Sequence, residues 1–260
     1  MIKFLKIIWR SRFLVRARNF FVIKPQHRKW LYLTDSFSSS DAFFWRVDEN
    51  FKTIFKYSDI FGKYFGEKSK ILLVFLDSEG KHIISREIIF SRSVQTFLID
   101  KMFLGRTGYG SFFAYNIPDN PNNFEYKVTN RCYTGFTYRS NGPSFVHGND
   151  ISRYLSAKDL IKFGKGETKS AIFDHSIKSL YAIQKDFSEF DKNELFFFNP
   201  MMKDLILNLN GTKYLIKSLC TFALEIENSH GQVTKIKSNY NFARPIVFSY
   251  KNAFLDVHHA

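Results

Sequence analysis

The chain has 260 residues, 45% of them apolar, so it is long enough for one large domain or two ordinary ones with a sizeable core. It has two cysteines, Cys132 and Cys220, and no Cys-x-x-Cys spacing, which argues against a disulfide-stapled secreted fold. The net charge of +14 is concentrated at the N-terminus, where residues 1–30 carry nine basic and no acidic side chains; residues 31–260 carry the remaining +5.

Residues 1–28 have the pattern of a basic amphipathic helix or arm. Lys3, Lys6 and Arg10 fall on one helical face, and apolar residues fill the rest. This pattern is typical of contact with an anionic membrane surface or another polyanion, and packing on the protein's own core is the alternative. The side chains that would make the anionic contact are Lys3, Lys6, Arg10, Arg12, Arg16 and Arg18.

The sequence predicts neither a transmembrane helix nor a secretory signal. It has no run of 18 uncharged apolar residues, and the basic residues between positions 6 and 16 interrupt any apolar core of a signal. The expected location is the cytoplasm, with peripheral attachment to a membrane as a second possibility.

From about residue 30 the sequence changes to short apolar and aromatic runs separated by turn residues, which is typical of β-strands. The segment Asp77–Gly80 predicts a tight hairpin turn. The strands predicted in the first half are Lys29–Thr34, Ala42–Asp48, Ile71–Leu76, His82–Phe90, Val94–Ile99 and Ser111–Asn116.

The middle of the chain, residues 121–168, predicts a connecting hairpin that turns at Ser140–Pro143. Apolar positions across Ile151–Phe163 predict a short helix, which Asp150 would cap and Gly164 would end.

A second series of strands follows and resembles the first. Ile71–Asp77 aligns with Glu194–Pro200, and a pattern Ser-x-x-Thr-Phe-x-aliphatic-acid occurs at residues 93–100 and again at 218–225. The strands predicted here are Leu180–Gln184, Glu194–Asn199, Asp204–Leu209, Lys213–Ile216, Cys220–Ile226, Gln232–Ile236 and Pro245–Tyr250. The fold expected from this duplication is mostly β, with two tandem antiparallel β-sandwich-like units at residues 29–120 and 169–260.

The densest set of side chains able to bind a ligand lies in the connecting segment, interleaved with glycines. Arginine and tyrosine can stack on sugar rings or hydrogen-bond to them, and glycine allows a ligand to approach the backbone. A tyrosine- and arginine-rich interface between the two units is the alternative. The candidate ligand-binding residues are Arg131, Tyr133, Tyr138, Arg139, His147, Asn149 and Asp150.

No sequence motif indicates catalysis, a metal or a cofactor. The chain contains no Gly-x-Ser-x-Gly elbow, no His-Glu-x-x-His pair and no phosphate-binding loop of the required spacing. We therefore expect no catalytic residue, metal ligand or cofactor, and no sequence-specific nucleic-acid binding.

The function expected is that of a non-enzymatic β-sandwich protein that recognises a carbohydrate or a protein partner. One alternative is an enzyme acting on glycans or sugar nucleotides through His147 and either Asp150 or Asp41. The other is a structural or assembly protein.

Overall fold

Most of the chain described by the computed structural model is β-strand. The structure describes residues 36–66, 68–89, 94–119, 128–130, 132–167, 179–183, 187–201, 203–226, 234–240 and 244–260. The strands found there are β1 (Ser36–Val47), β2 (Phe51–Ser58), β3 (Ser69–Asp77), β4 (His82–Ile89), β5 (Val94–Ile99), β6 (Gly108–Pro118), β7 (Val128–Asn130), β8 (Tyr133–Tyr138), β9 (Ser144–His147), β10 (Asn149–Ser156), β11 (Ser179–Ile183), β12 (Lys192–Phe198), β13 (Leu205–Leu209), β14 (Thr212–Ile216), β15 (Thr221–Ile226), β16 (Thr234–Ser238), β17 (Ile246–Lys251) and β18 (Phe254–His259). The helices found there are α1 (Ile60–Phe65), α2 (Lys101–Leu104) and α3 (Ala157–Gly164). The prediction of a mostly-β protein is confirmed.

The described strands form four small sheets, arranged like the blades of a four-bladed β-propeller. Sheet I has the strand order β10-β1-β6-β3-β4, with β7 added in parallel beside β1, and sheet II has the order β5-β2-β8-β9. Sheet III has the order β11-β16-β13-β14, and sheet IV has the order β15-β12-β17-β18. Apart from the β1–β7 pair, the pairings are antiparallel.

The inner strands of sheets I and IV, β3, β6, β12 and β17, are largely buried on both faces. Along β3, Ile71 and its alternate residues pack towards sheet II, whereas Leu72 and its alternates pack towards sheet IV. Along β12, Phe196 and Phe198 face sheet I, and Leu195 and Phe197 face sheet III. Burial on both faces explains why these strands are continuous apolar runs, because a strand with one wet face would alternate.

Sheets II and III each bury one face only. Buried and more exposed residues alternate along β2 in sheet II and along β16 in sheet III. One face of each of these two sheets is therefore open to solvent, in contrast to the inner strands of sheets I and IV.

The prediction of two tandem β-sandwich units is wrong. The finding that overturns it is a core shared by the two halves, in which Phe44 of β1 and Phe113 of β6 pack with Phe196 of β12 and Phe248 of β17. A tandem pair would bury two separate cores, whereas here one sheet from each half packs against the other. The predicted basic N-terminal helix at residues 1–28 and the predicted strand Lys29–Thr34 lie outside the described residues.

Two local predictions also needed correction. The stretch predicted as a helix, Ile151–Phe163, begins as β10, which pairs with β1, and becomes helical only in α3. Tertiary pairing has overridden a weak helical period there. The predicted internal repeat aligns β3 with β12, and β5 with β15. In the structure β15 pairs with β12, but β5 pairs with β2 and not with β3, so the repeat is not supported at this strand.

Candidate functional site

A polar pocket of about 470 Å³ opens where sheets I, II and IV meet. Its walls come from the β1–β2 turn, the end of β8, the start of β12 and the β17–β18 turn, so both halves of the chain contribute. We call it the polar pocket. Its lining residues are Arg46, Asp48, Glu49, Asn50, Phe51, Tyr138, Arg139, Asp191, Lys192, Tyr250 and Asn252.

Arg46 lies at the base of the polar pocket and joins the two halves. Its Nη1 donates to Oε2 of Glu194 at 2.7 Å and to the hydroxyl of Tyr250 at 2.9 Å. Its Nε donates to Oδ2 of Asp48 at 3.3 Å, and its guanidinium carbon lies 4.0 Å from the ring centre of Phe51. A planar guanidinium can make all these contacts at once, which a lysine ammonium could not do.

The Tyr250 hydroxyl also donates to Glu194, so these two side chains and Arg46 form a closed triangle of hydrogen bonds. Burial by itself would raise the pKa of Glu194, but the charge of Arg46 and the hydrogen bond from Tyr250 bring it below its ordinary value. Burial raises the pKa of Tyr250, and the nearby positive charge of Arg46 offsets only part of that rise. At neutral pH the triangle therefore holds a carboxylate, a neutral phenol and a guanidinium.

Lys192 extends this cluster towards solvent. Its ammonium lies 3.3 Å from Oε1 of Glu194 and 2.8 Å from Oε2 of Glu225, and its side chain is 41% exposed. The inner part of the cluster is thus largely buried, while its outer edge is exposed.

Tyr138 and Arg139 form the wall contributed by sheet II. The Tyr138 ring centre lies 5.0 Å from that of Phe51 and 5.2 Å from that of Tyr250. The Arg139 guanidinium carbon lies 5.0 Å from the Tyr138 ring centre. Phe51 and Tyr250 are buried, so Tyr138 is the partly exposed ring of this aromatic cluster, and the Arg46 and Arg139 guanidinium groups lie over rings of the cluster.

The turn after β8 is held in an uncommon backbone conformation. Arg139 and Ser140 have φ angles of 49° and 62°, a left-handed region that glycine usually occupies in such turns. Three hydrogen bonds fix the turn: the Asn141 amide donates to the Tyr138 carbonyl, the Arg139 amide to the Asn50 carbonyl, and the Asn141 side chain to the Ala253 carbonyl. Strain of this kind persists where the surroundings hold it in place, and it often accompanies functional sites.

The structure brings two of the predicted site residues, Tyr138 and Arg139, into the polar pocket. Tyr133 lies at the other end of β8, and the His147 ring nitrogen Nδ1 is 3.0 Å from Nε2 of His259. Asn149 is buried. Asp150 lies in β10 with its side chain outside the described part of the structure, and Arg131 falls wholly outside it.

Two glycines of the connecting segment, Gly135 and Gly148, have packing roles. A Cβ atom at Gly135 would overlap the ring of Phe145, and one at Gly148 would overlap Asp41 and Phe43. The space above both glycines is therefore filled by side chains of the protein, and no ligand can approach the backbone there without displacing them.

Sequence reasoning missed Arg46, Glu194 and Tyr250. The signal for Arg46 was its place inside an aromatic strand, Phe-Phe-Trp-Arg-Val, because a charge in a buried strand needs a partner. Glu194 likewise stands directly before Leu-Phe-Phe-Phe. The partners lie 148 and 204 residues away from Arg46, beyond any local pattern.

No protein-family model matches this chain, and neither a curated protein nor a solved structure matches it. Among the described residues, no helix is long and apolar enough to span a membrane. No group of three or more His, Cys, Asp or Glu side chains in that part of the chain is placed to hold a metal ion. The function is therefore argued from the geometry of the site alone.

Proposed function

We propose that this protein recognises a carbohydrate in the polar pocket, as a binding protein. The observation that supports the proposal is the combination, in one pocket, of an aromatic side chain with both hydrogen-bond donors and hydrogen-bond acceptors. A sugar ring has apolar C–H faces between its hydroxyl groups, and each hydroxyl both donates and accepts hydrogen bonds. The partly exposed ring of Tyr138 offers apolar contact to the sugar ring, and the polar groups around it offer partners for the hydroxyls.

The charges of the lining support a neutral ligand. Three basic side chains, Arg46, Arg139 and Lys192, are matched by three acidic ones in the same lining, Asp48, Glu49 and Asp191. Arg46 is further neutralised by Glu194. A strongly charged ligand would be repelled by either the basic or the acidic side chains, whereas a neutral polyhydroxylated ligand can form hydrogen bonds with both groups.

The alternative of an enzyme acting on glycans needs a carboxylic acid that stays protonated near neutral pH. The pKa of Glu194 is lowered, which leaves that carboxyl group ionised. Asp41 is 1% exposed, and His147 is engaged by His259. These features favour binding over hydrolysis, and incubation with chromogenic glycosides would reveal turnover if the enzyme alternative were right.

The proposal is tested by thermal shift on the full chain with glucose, galactose, N-acetylglucosamine, maltose and lactose. A ligand at about 100 times its Kd adds about 2.7 kcal/mol to the folded state. For a chain of this length that corresponds to a rise in Tm of roughly 5–10 °C. Isothermal titration would then give the affinity for any sugar that shifts Tm.

Two variants assign the binding to the polar pocket. We expect Tyr138→Ala to weaken binding roughly 10- to 100-fold, as loss of a central aromatic contact does. Arg139→Gln keeps the three rings but removes the guanidinium beside Tyr138, and so tests the rim of the pocket separately. Arg106→Gln is the matched control, because Arg106 is an exposed cation outside the pocket lining, between α2 and β6, and is paired with Asp77. A flat sugar panel, or equal binding by all three variants, would contradict the proposal and favour a protein partner or an assembly role, to be followed by light scattering of the full chain.

A further inference from the structure

The outer face of sheet II is an open surface that the polar pocket does not use. The residues on this face alternate with the buried ones along β2, β5, β8 and β9 and face each other across the strands. We call it the aromatic face. The residues that define it are Lys52, Ile54, Lys56, Leu98, Tyr133 and Phe145.

Two aromatic rings lie on this face in neighbouring strands. Tyr133 of β8 is 51% exposed, and Phe145 of β9 is 43% exposed. Gly135 pairs with Phe145 across the strands, and the Phe145 ring fills the space that a side chain at Gly135 would take. The ring therefore lies over the sheet, with part of its surface accessible. Beside Tyr133 and Phe145 is a largely apolar pocket of about 460 Å³ whose rim includes Lys56.

The aromatic face is positively charged. Neither Lys52 nor Lys56 has a carboxylate within salt-bridge distance in the part of the chain that the structure describes. The described outward positions of the four strands contain no Asp, Glu, Asn or Gln. The face thus combines apolar, aromatic and hydroxyl side chains with these two lysines, and its described positions carry no carboxylate or amide side chain.

We propose that the aromatic face binds single-stranded nucleic acid with little sequence preference. Exposed aromatic rings stack bases of any sequence, and lysines along the strand neutralise phosphates. Here Tyr133 and Phe145 stack bases, one of which enters the adjacent pocket, and Lys52 and Lys56 contact phosphates. This site is separate from the polar pocket and does not depend on the carbohydrate proposal.

The composition of the face favours this ligand over two others. A carbohydrate needs several acceptor groups for its hydroxyls. The carboxylates and amides that supply them in the polar pocket are missing here, and Ser58, Thr96 and Thr137 offer hydroxyl groups alone. An anionic membrane is contacted best by side chains that insert into the lipid. Phe145 instead lies over Gly135, and the surface beside it is concave.

The test measures fluorescence anisotropy of a labelled twelve-nucleotide oligo-dT with the full chain. Tyr133→Ala and Phe145→Ala should each weaken binding about 5- to 100-fold. Lys52→Gln and Lys56→Gln should each reduce the slope of log K against log salt by about 0.7. Phe254→Ala is the aromatic control, because Phe254 is 70% exposed on sheet IV, and Lys235→Gln is the lysine control on the open face of sheet III.

A second probe separates stacking from simple charge attraction, which the nine basic residues of positions 1–30 could supply alone. An abasic oligomer of equal length keeps the phosphates and lacks the bases. We expect it to bind more weakly than oligo-dT and to be insensitive to Tyr133→Ala. Equal binding of the two oligomers, or oligo-dT binding unchanged in both aromatic variants, would overturn the proposal. Loss of binding to phosphatidylserine vesicles in those variants, with no oligo-dT binding by the wild type, would assign the face to a membrane instead.

Discussion

The substitution Glu194→Gln tests whether the triangle at the base of the polar pocket is structurally important. Glu194 accepts hydrogen bonds from Arg46 at 2.7 Å and from the Tyr250 hydroxyl, and lies 3.3 Å from the Lys192 ammonium. Its side chain is 13% exposed and that of Arg46 is 20% exposed. Glutamine keeps the shape and one acceptor oxygen but removes the charge.

The expected loss in the free energy of unfolding depends on how well Arg46 remains paired and solvated in the variant. Removing one partner of a fully buried ion pair costs about 3–5 kcal/mol, because the remaining charge stays desolvated. Here Asp48 still lies 3.3 Å from Arg46, and both partners retain some contact with water. We therefore expect a loss of about 2–3 kcal/mol in the free energy of unfolding at pH 7.

The same substitution predicts a pH dependence. The folded-state pKa of Glu194 is below its ordinary value. The contribution of the Glu194 carboxylate to stability is therefore complete above the unfolded-state pKa of about 4.5. It is lost as the pH falls through the folded-state pKa. The stability difference between wild type and Glu194→Gln should thus be constant between about pH 7 and pH 5 and should shrink below about pH 4.

Urea denaturation followed by tryptophan fluorescence measures both effects. Lys192→Gln is the control, because its more exposed pairs should contribute only about 0–1 kcal/mol. A double-mutant cycle of Glu194→Gln with Arg46→Met isolates the pair itself. A loss below about 0.5 kcal/mol for Glu194→Gln, or a difference that does not change with pH, would refute the reasoning.

Three further predictions concern other parts of the fold. Burial lowers the pKa of His259 to about 4, and the neighbouring His147 contributes to this shift, so the unfolded chain takes up the proton first as the pH falls. Stability should then decrease by roughly 2 kcal/mol between about pH 6.5 and pH 4, after allowance for partial solvent exposure, and His259→Gln should remove this decrease in pH-dependent urea titrations. A Cβ at Gly110 would overlap backbone atoms and the Trp45 indole nitrogen, so Gly110→Ala should cost about 3 kcal/mol or more and change the tryptophan emission. Gly142 has open space around it, and Gly142→Ala should stay within about 0.5 kcal/mol of wild type by thermal denaturation.

Several strands could be predicted because apolar runs and turn residues are visible in a short stretch of sequence. The runs at Ile71–Leu76, Val94–Ile99 and Glu194–Asn199 coincide with β3, β5 and β12, and the turn at Asp77–Gly80 joins β3 to β4. Asp77 accepts backbone hydrogen bonds within that turn, which is the reason aspartate marks such positions.

One strand was missed although its pattern was clear. In β2, Phe51, Thr53, Phe55 and Tyr57 alternate strictly with residues that are more exposed, as a half-buried strand requires. By contrast, the pairing of strands depends on contacts that no local pattern encodes. For example, β1 pairs with β6 and β10, far along the chain. This is why the sheet architecture could not be predicted even where the strands were.

The candidate site likewise combines residues that a local pattern predicts with partners that are distant in the sequence. Tyr138 and Arg139 were found because they stand in a dense local cluster, but their partners come from turns and strands of both halves. Proximity in sequence also grouped side chains that the fold separates, such as Tyr133 and Tyr138, which occupy the two ends of β8.

The distribution of apolar residues nonetheless contains more information than the strand predictions used. A strand buried on both faces contains a continuous apolar run, as in β3 and β12, whereas a strand with one open face alternates, as in β2 and β16. The two kinds of pattern therefore distinguish strands buried on both faces from strands with one open face before any pairing is known. Within a central run, a charged residue such as Arg46 or Glu194 must find a partner across the core, and that requirement places the polar pocket at the contact between sheets I and IV.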